Sequence, residues 1–554
     1  MATPTKFGPE FLINTTTSQA QYQPALTALA DGRFVCLWTD DSATSADAAG
    51  SAVRGQIFNA DGTLSGVEFL VNSTSSFFQF SPVLTHLSGG RFVAVWTDNS
   101  QNSGLNSATD LRAQMFKADG SRLGTEFLVN TTTLSDQEDA SITTLANGRF
   151  VVAWTDGSVT ADPSAAGIIA QLFNSNGTKS GVQFLVNTTT TGAQSEVSIT
   201  ALSNGRFVAA WDDESRAGTD NWGTGLRAQV FLANGSKFGA EIEVNIQITG
   251  NQYEPTVTAL ANGRFVIGWT DAGEMNVDTS VKAQVFAGNG SKVGAEFLVN
   301  TTTFAQQSTP DFTTLADGRF VAVWTDSSTI PGEPPGVSIK AQVFSAAGAK
   351  SGAEFMVNTP TNANNADPTV TLLADGRIMF AWTAPADGLL DTSGSAIHGQ
   401  IFDPRVAGVA LSGTIAADFY IGSKFSDTLL GASGADTLVG GAGNDTIRGG
   451  NGKDLLTGGD GADSFVFASA AEAGAGISRD TITDFTPGLD KIDLSAFMPT
   501  ATFIGKTGFH GVGGAEIRFV ANSHVLQGDV DGDGIADFTI QIDGTAPVAA
   551  DFIL

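Results

Sequence analysis

Residues 33–40 read RFVCLWTD, and variants of this stretch recur six more times along the chain. The Arg that opens each copy lies at position 33, 91, 149, 206, 264, 319 or 377, so successive copies are separated by 58, 58, 57, 58, 55 and 58 residues. A unit of that length is too small to bury its own apolar faces. The regular period therefore predicts stacked or radially arranged repeats.

Each repeat has the pattern of four short strands. In the first copy, residues 24–29 (PALTAL) lead through Asp31-Gly32 into the quoted stretch, and residues 53–58 (VRGQIF) lead through Asp61-Gly62 into residues 67–72 (VEFLVN). Asp-Gly and Asn-Gly readily supply the two positive φ angles that a type I′ hairpin turn requires. Four antiparallel strands in a unit of this size are typical of one blade of a β-propeller.

The two ends of the repeat region predict a closed ring. Residues 10–14 (EFLIN) match a fourth strand that lacks the preceding three, and the seventh copy stops after residues 398–405 (HGQIFDPR) without a fourth strand. If the N-terminal strand completes the last blade, the ring has no free sheet edge. We therefore predict an all-β protein whose residues 1–406 form a seven-bladed β-propeller.

Two polar side chains repeat at fixed places in the blades. An Asp closes the second strand in six copies, on the face where the longer loops emerge, and Ala384 replaces it in the seventh. Such carboxylates either form a ring that holds a cation or a polar ligand, or cap loop backbone. They are Asp40, Asp98, Asp156, Asp212, Asp271 and Asp326. A Gln also recurs seven times, from Gln56 to Gln400, and we expect it to satisfy backbone groups between blades.

Trp222 is the most distinctive residue outside the repeat pattern. It lies in the long loop of the fourth copy, close in sequence to Arg216 and Asp220. An exposed Trp among polar groups can stack against a sugar ring, so Trp222 is a candidate ligand-binding residue. The alternative is that such loop side chains fold down onto the propeller.

A shorter period begins after Arg405. From Gly413 the chain advances in steps of nine residues, and an Asp occupies the same place in each step, at 418, 427, 436, 445, 454 and 463. Gly-rich turns let backbone carbonyls approach a cation, and the apolar residue two places after each Asp fills the core of a parallel β-roll. Oxygen ligands without Cys or His favour Ca²⁺ over Zn²⁺.

From Gly413 to the C-terminus the chain resembles the RTX family, the nonapeptide calcium-binding proteins that type I secretion systems export. Residues 478–497 and 528–544 are similar to the C-terminal domain that follows the roll in serralysin-type proteases. The resemblance implies that Asp427, Asp436, Asp445, Asp454 and Asp463 bind Ca²⁺. It also implies an ABC exporter as a partner, and release to the medium or the cell surface of a Gram-negative bacterium. We predict a β-roll over 407–468 and a C-terminal β domain with the secretion signal over 469–554.

A separate acidic loop lies near the C-terminus. Asp529, Asp531, Asp533 and Asp537 occupy positions 1, 3, 5 and 9 of an EF-hand-like spacing, with Gly534 after the third. No Glu follows at the twelfth position. The loop is either a second Ca²⁺ site or an acidic turn that joins two strands.

The net charge of −29 supports this reading of the C-terminal region. Residues 413–554 contain 19 acidic and 7 basic side chains, a balance of −12. Repulsion among them should keep the roll unfolded at low calcium, and millimolar Ca²⁺ outside the cell should drive folding. The charge argues against nucleic acid as a partner. No apolar run reaches the length of a membrane span, and the N-terminus lacks the pattern of a cleaved signal peptide.

Catalytic motifs are not evident in the sequence. Serralysin-type proteases carry HExxH, whereas none of the four His residues here belongs to that motif. We therefore predict that the chain is not an enzyme. The preferred function is a secreted, calcium-dependent, adhesin-like or lectin-like protein whose long-loop face binds carbohydrate or another cell-surface component. The alternatives are a self-assembling surface-coat protein and a secreted polysaccharide hydrolase or lyase.

Overall fold

The structure is a computed structural model. It describes residues 3–42, 50–100, 108–158, 162, 165–218, 223–246, 249–273, 278–328, 335–360, 363–386, 394–511 and 513–554.

Within these residues the N-terminal region forms seven antiparallel sheets of four strands each. Six blades use four consecutive strands. The seventh takes Thr5–Leu12 as its outer strand, paired with Ser395–Asp403, so that Phe11 lies opposite Gly399. This confirms the predicted seven-bladed propeller closed by its N-terminal strand.

The blades have the following strands, each given from the inner to the outer edge. Blades one to three comprise Gln21–Ala28, Phe34–Asp40, Ala52–Phe58 and Phe69–Leu70; Gln79–Leu87, Arg91–Asp98, Asp110–Phe116 and Arg122–Leu128; and Gln137–Thr144, Phe150–Asp156, Gly167–Phe173 and Phe184–Leu185. Blades four to six comprise Gln194–Ala201, Arg206–Asp213, Gly225–Leu232 and Lys237–Glu243; Asn251–Ala259, Phe265–Ala272, Thr279–Phe286 and Lys292–Leu298; and Gln307–Thr314, Phe320–Asp326, Ser338–Phe344 and Phe355–Met356. Blade seven comprises Ala366–Leu372, Ile378–Pro385, Ser395–Asp403 and Thr5–Leu12.

The propeller core lies between adjacent blades. Val35 and Leu37 of blade one pack in the same cluster as Phe92 and Trp96 of blade two, and all four are fully buried. Because each blade is covered on both sides, its second strand is apolar on both faces. The repeated Trp residues belong to this packing.

The C-terminal region is a roll of two mainly parallel sheets. One sheet contains Ala410–Ser412, Thr428–Leu430, Thr446–Arg448, Ser464–Val466, Lys491–Asp493 and Phe552–Ile553. The other contains Phe419–Ile421, Thr437–Ala442, Leu455–Asp460, Thr481–Ile482, Phe538–Ile542, Val525–Asp529, Glu516–Val520 and Thr502–Phe503. A small two-stranded sheet pairs Ser433–Gly434 with Asn451–Gly452.

Residues 469–554 extend both sheets of the roll and share its core. Leu438, Ile447 and Leu456 of the nonapeptides lie in one cluster with Ile540 and Phe552. The two predicted C-terminal segments therefore form one packed unit. The helices are short: the α-helix Ala470–Ala473 and the 3-10 turns Ala261–Gly263, Gly476–Ser478 and Ala549–Asp551. No helix of the described chain has the length and apolar character needed to cross a membrane.

The roll docks on the tight-turn face of the propeller. Phe419 donates its backbone N–H to the carbonyl of Asp31 at 2.9 Å, and the Tyr420 hydroxyl donates to the Ala30 carbonyl at 2.9 Å. Gly32 has a φ of +88°, and a Cβ there would lie 1.9 Å from the Phe419 carbonyl oxygen. The long-loop face lies on the opposite side of the disc.

Candidate functional site

The aspartates of the nonapeptides form two columns along the roll. In one column the Asp427 N–H donates to Oδ1 of Asp445 at 2.8 Å, and the Asp445 N–H donates to Oδ1 of Asp463 at 2.9 Å. In the other, the Asp436 N–H donates to Oδ1 of Asp454 at 2.9 Å. Because two nonapeptides make one turn of the roll, each carboxylate meets the backbone 18 residues earlier.

The second oxygen of these carboxylates is left without a donor. Oδ2 is buried and has no hydrogen-bond partner within the described residues in Asp436, Asp445, Asp454, Asp463 and Asp480. A Gly accompanies each of the four nonapeptide positions. A Cβ on Gly440 would fall 2.4 Å from Oδ2 of Asp445, and one on Gly449 would fall 2.2 Å from Oδ2 of Asp454. The glycines thus make room for the carboxylates.

Burial raises the pKa of these aspartates. The pKa of Asp436 rises to about 7, and that of Asp445 and of Asp463 to about 6. Desolvation is the largest cause, and neighbouring carboxylates add to it, while the backbone N–H bond opposes it. A buried carboxylate oxygen without a donor requires a proton or a cation. Since the donor set is all oxygen, it fits Ca²⁺.

Sequence reasoning missed two members of the columns. The Asp454 N–H donates to Oδ1 of Asp480 at 2.8 Å, and the Asp463 N–H donates to Oδ1 of Asp490 at 3.0 Å. Burial raises the pKa of Asp480 to about 8. The nine-residue period is already broken at these positions. The remaining signal is the local pattern of Asp followed two places later by an apolar residue, which Asp480 and Asp490 keep with Ile482 and Ile492.

Asp427 lies in a column but differs from the other predicted ligands. Its Oδ2 accepts from the Ser423 N–H, and its Oδ1 accepts from the Val409 N–H. Ser423 stands where Gly441, Gly450 and Gly459 occur in later repeats. Both oxygens of Asp427 are therefore engaged by the protein itself.

The acidic loop near the C-terminus brings together three of its four aspartates. Carboxylate oxygens of Asp529, Asp531 and Asp533 lie within 4.8 Å of one another. Asp529 is buried and accepts the N–H groups of Gly532 and Gly534, each at 2.7 Å. Asp537 is directed elsewhere, since its Oδ2 accepts the Val530 N–H at 2.6 Å.

Most of the carboxylates that close the second propeller strands are paired with a cation inside the blades. In blade two, Asp98 accepts from Nε2 of Gln79 at 3.0 Å and from Nε of Arg112 at 2.6 Å. Arg112 Nη1 also contacts Oε1 of Glu126 at 3.0 Å. Blade five has Lys282 in place of the Arg, 2.8 Å from Asp271. All of these aspartates are buried, namely Asp40, Asp98, Asp156, Asp271 and Asp326. The expectation of an open carboxylate ring is therefore corrected, because four of these side chains pair with an Arg or Lys and brace their blades. Blade three is the exception: Ile169 stands at the place of the cation, and Oδ2 of Asp156 is buried without a hydrogen-bond partner among the described residues.

Asp212 requires a separate correction. The residue equivalent to Asp98 in blade four is Asp213, which pairs in register with Gln194 and accepts from Nε of Arg227 at 2.5 Å. Two consecutive aspartates conceal this register in the sequence. Asp212 instead takes the place that Thr has in the other six blades.

Trp222, the candidate ligand-binding residue of the fourth copy, lies outside the described residues.

The repeated Gln acts within one blade and not between blades, which corrects the expectation from the sequence. Gln171 Nε2 donates to the carbonyls of Leu172 at 2.8 Å and Gly181 at 3.3 Å. It joins the third strand to the turn before the fourth.

The fold is that of a β-propeller followed by a parallel β-roll that carries two columns of aspartates. Residues 406–554 match the family model described as Peptidase M10 serralysin C terminal. The C-terminal region is therefore a serralysin-type C-terminal domain, as the sequence predicted.

Three solved structures that resemble this chain cover 58% to 72% of it. A protein of unknown function from Dyadobacter fermentans has 12% identity and a TM-score of 0.41, covering 72% of this chain and 98% of that one. An α-L-arabinanase of Penicillium chrysogenum has 14% identity and a TM-score of 0.40, covering 58% and 92%. An α-L-arabinofuranosidase of Fusarium graminearum has 11% identity and a TM-score of 0.40, covering 71% and 98%.

These structures correct the prediction that the chain is not an enzyme. Two of the three carry the names of glycoside hydrolases. At 11% to 14% identity the likeness concerns the fold alone and assigns no reaction to this chain.

Proposed function

We propose that the chain is a secreted protein whose roll folds on Ca²⁺ outside the cell and whose propeller presents its long-loop face to a carbohydrate or another cell-surface ligand. The observation that carries the first part is the buried, unpartnered Oδ2 of Asp436, Asp445, Asp454, Asp463 and Asp480. Five such oxygens in one small module form a cation-binding framework.

Calcium would be held by these aspartates and by carbonyls of the Gly-rich turns. The ion supplies positive charge that offsets the repulsion within each column. Without it, the roll has to bury carboxylates that have no compensating donor, so the unfolded chain is favoured. A chain that stays unfolded at low calcium can pass through an ABC exporter, and calcium outside the cell then makes folding favourable.

The orientation of the roll on the propeller supports the proposal that the long-loop face binds a ligand. The roll covers part of the tight-turn face, because Phe419 and Tyr420 contact the turn at Ala30 and Asp31. The long-loop face lies opposite and carries exposed aromatic groups. Phe77 and Phe78 are 46% and 50% exposed, in a loop that leads into a first strand. Exposed rings of this kind can stack on sugar faces.

A calcium titration of the full chain tests the first part. We expect calorimetry to detect calcium binding and circular dichroism to show a gain of β-sheet. In Asp445→Asn the calcium affinity and the gain of β-sheet should both be lower. Asp98→Asn is the matched control, since Asp98 is also buried at a strand end but pairs with Arg112. Unchanged binding in Asp445→Asn, or no binding in the wild type, contradicts the proposal.

A glycan array probed in millimolar calcium tests the second part. We expect selective binding that Phe78→Ser weakens and that Phe127→Ser, in the outer strand of blade two, leaves intact when the variant folds. The same glycans should be assayed for released reducing ends, which distinguishes binding from cleavage. Calcium-driven polymers without any glycan selectivity would favour a surface coat and overturn this part.

A further inference from the structure

The nine-residue steps of the roll contain two kinds of turn. In the last four steps, from Gly431 onwards, the second and fourth residues have left-handed backbone. Their φ angles are 74° and 137° for Ala432 and Gly434, 106° and 119° for Gly441 and Gly443, 98° and 156° for Gly450 and Gly452, and 96° and 142° for Gly459 and Gly461. In the first two steps these places hold Thr414, Ala416, Ser423 and Phe425, and none of these four described residues is left-handed. The backbone of the turn therefore changes between the second step and the third.

The two kinds of turn satisfy their aspartates differently. In the first two steps the second residue donates its N–H to Oδ2, from Thr414 to Asp418 at 2.6 Å and from Ser423 to Asp427. The hydroxyl of the same residue adds a bond, since Ser423 Oγ lies 3.0 Å from Oδ1 of Asp427. From Asp436 onwards the left-handed turn directs this N–H elsewhere, and Oδ2 has no donor among the described residues. The first two turns are thus complete without an ion.

The propeller covers the free edge of the first strand in one roll sheet. Phe419–Ile421 pairs on one side with the next strand of that sheet. On the other side the Phe419 N–H donates to the Asp31 carbonyl at 2.9 Å, as the Thr437 N–H donates to the Asp418 carbonyl at 2.8 Å one turn later. The turn of blade one therefore takes the place of a preceding turn of the roll.

Arg405 covers the carbonyl groups of the same edge. Its Nη1 donates to the Ile421 carbonyl at 2.9 Å, and its Nη2 donates to the Gly422 carbonyl at 2.8 Å. Nη1 also donates to the carbonyl of Asp375 in blade seven at 3.0 Å, so the guanidinium joins the propeller to the roll. An uncovered strand edge would leave these groups unpaired.

We propose that residues 409–430 form an ion-independent seed, held by the blade-one turn and by Arg405, on which the calcium-dependent turns from Asp436 onwards fold. This inference rests on the proposed calcium-dependent folding of the roll and adds where that folding starts. Ordering a chain segment costs conformational entropy. Because the seed is already ordered, calcium has to order only the later turns, so the propeller raises the calcium affinity of the roll.

Hydrogen–deuterium exchange of the full chain in chelator tests the seed. We expect peptides covering Phe419–Ile421 and Thr428–Leu430 to stay protected, and peptides covering Leu455–Asp460 to exchange as an unfolded chain. In millimolar calcium all three should be protected. If both seed peptides also exchange as unfolded chain in chelator, the inference is wrong while the proposed function stands. If the whole roll stays protected in chelator, both are wrong.

A calcium titration followed by the same exchange tests the contribution of the propeller. In Arg405→Met we expect the seed to lose protection in chelator and the calcium midpoint of Leu455–Asp460 to rise by about threefold or more, because calcium then has to order the seed as well. Arg149→Met is the matched control, since Arg149 donates to the Ala233 carbonyl at 2.6 Å within the propeller, and its midpoint should equal that of the wild type. Protection of Phe150–Asp156 verifies that the propeller of each variant is folded. Equal midpoints in Arg405→Met and the wild type would overturn the inference.

Ser423→Gly gives the second step the residue that later steps have and leaves Arg405 in place. This change removes the hydroxyl bond to Asp427 and frees the backbone of the turn. We expect Thr428–Leu430 to lose protection in chelator and to regain it in millimolar calcium. Unchanged protection in chelator would show that the Ser423 turn is not what makes this part of the roll independent of an ion.

Discussion

The propeller and the roll both bury aspartates at the ends of strands, but they satisfy them differently. In blade two, both oxygens of Asp98 accept hydrogen bonds, from Gln79 and Arg112. In the roll, Asp445 uses one oxygen for the Asp427 N–H and leaves the other without a partner. In five blades an Arg or Lys pairs with this aspartate, whereas among the described residues no cation pairs with an aspartate of the roll columns.

This difference separates a module that pairs most of these carboxylates within the polypeptide from one that, on the proposed function, is completed by an ion. A buried pair such as Asp213 and Arg227 costs desolvation but needs nothing from solution. A buried unpaired carboxylate makes folding depend on the concentration of a cation or of protons. The stability of the roll should therefore depend on calcium and pH, whereas the stability of the propeller should depend on the residues that pair inside its blades.

Chelation of calcium should have the largest effect. We expect calorimetry of the full chain to show two transitions, of which chelator removes the one that belongs to the roll. A site filled at 100 times its dissociation constant contributes about 2.7 kcal/mol, so several sites match the whole stability of a typical domain. Magnesium should not restore the transition, because it demands tighter octahedral geometry. Loss of both transitions together would show that the modules do not differ.

Acidification should replace part of the effect of calcium. The pKa values of Asp445, Asp436 and Asp480 in the folded roll are raised to about 6, 7 and 8. Since the folded state then binds protons more tightly than the unfolded state, stability increases as the pH falls from about 8 towards the ordinary aspartate pKa of about 3.9. In calcium-free buffer, circular dichroism should show more folded roll at pH 5 than at pH 8. No gain on acidification would contradict the protonation argument.

Loss of one internal counter-charge should destabilise the propeller without affecting calcium. Arg227→Met leaves Asp213 and Glu241 buried without their partner, which we expect to cost about 3–5 kcal/mol. Denaturant unfolding in saturating calcium measures this loss of unfolding free energy. Arg91→Met is the control, because Arg91 bonds the carbonyls of Ser88 and Ser175 and no buried carboxylate. An equal loss of unfolding free energy in Arg227→Met and Arg91→Met would show that internal ion pairing does not stabilise the propeller.

The smallest effect should come from a neutral bond inside a blade. Gln171→Leu removes the donor to the Leu172 and Gly181 carbonyls and should cost about 1–3 kcal/mol. Thr178→Ala, in an exposed turn, is the matched control and should be close to neutral. A calcium-dependent loss in Gln171→Leu would argue that the propeller also relies on ions at this place.

The features of the fold and of the candidate site that repeat along the sequence could be predicted from it. The repeat spacing and the unmatched strand at residues 10–14 suffice for a closed propeller, and the nine-residue step places Asp436 and Asp445 in columns. Features that depend on three-dimensional register were missed. Asp212 and Asp213 are adjacent in sequence, and only the pairing of Gln194 with Asp213 shows which of the two takes the braced position. Asp480 was missed because its spacing departs from nine residues.

Hydrogen–deuterium exchange by mass spectrometry tests most directly whether only the roll depends on an ion. Peptides covering Leu455–Asp460 of the roll and Phe150–Asp156 of blade three should be compared in calcium and in chelator. We predict that chelator brings the roll amides to the exchange rate of an unfolded chain and leaves the blade amides protected. Protection of the roll without calcium, or loss of protection in the blade, would contradict the account.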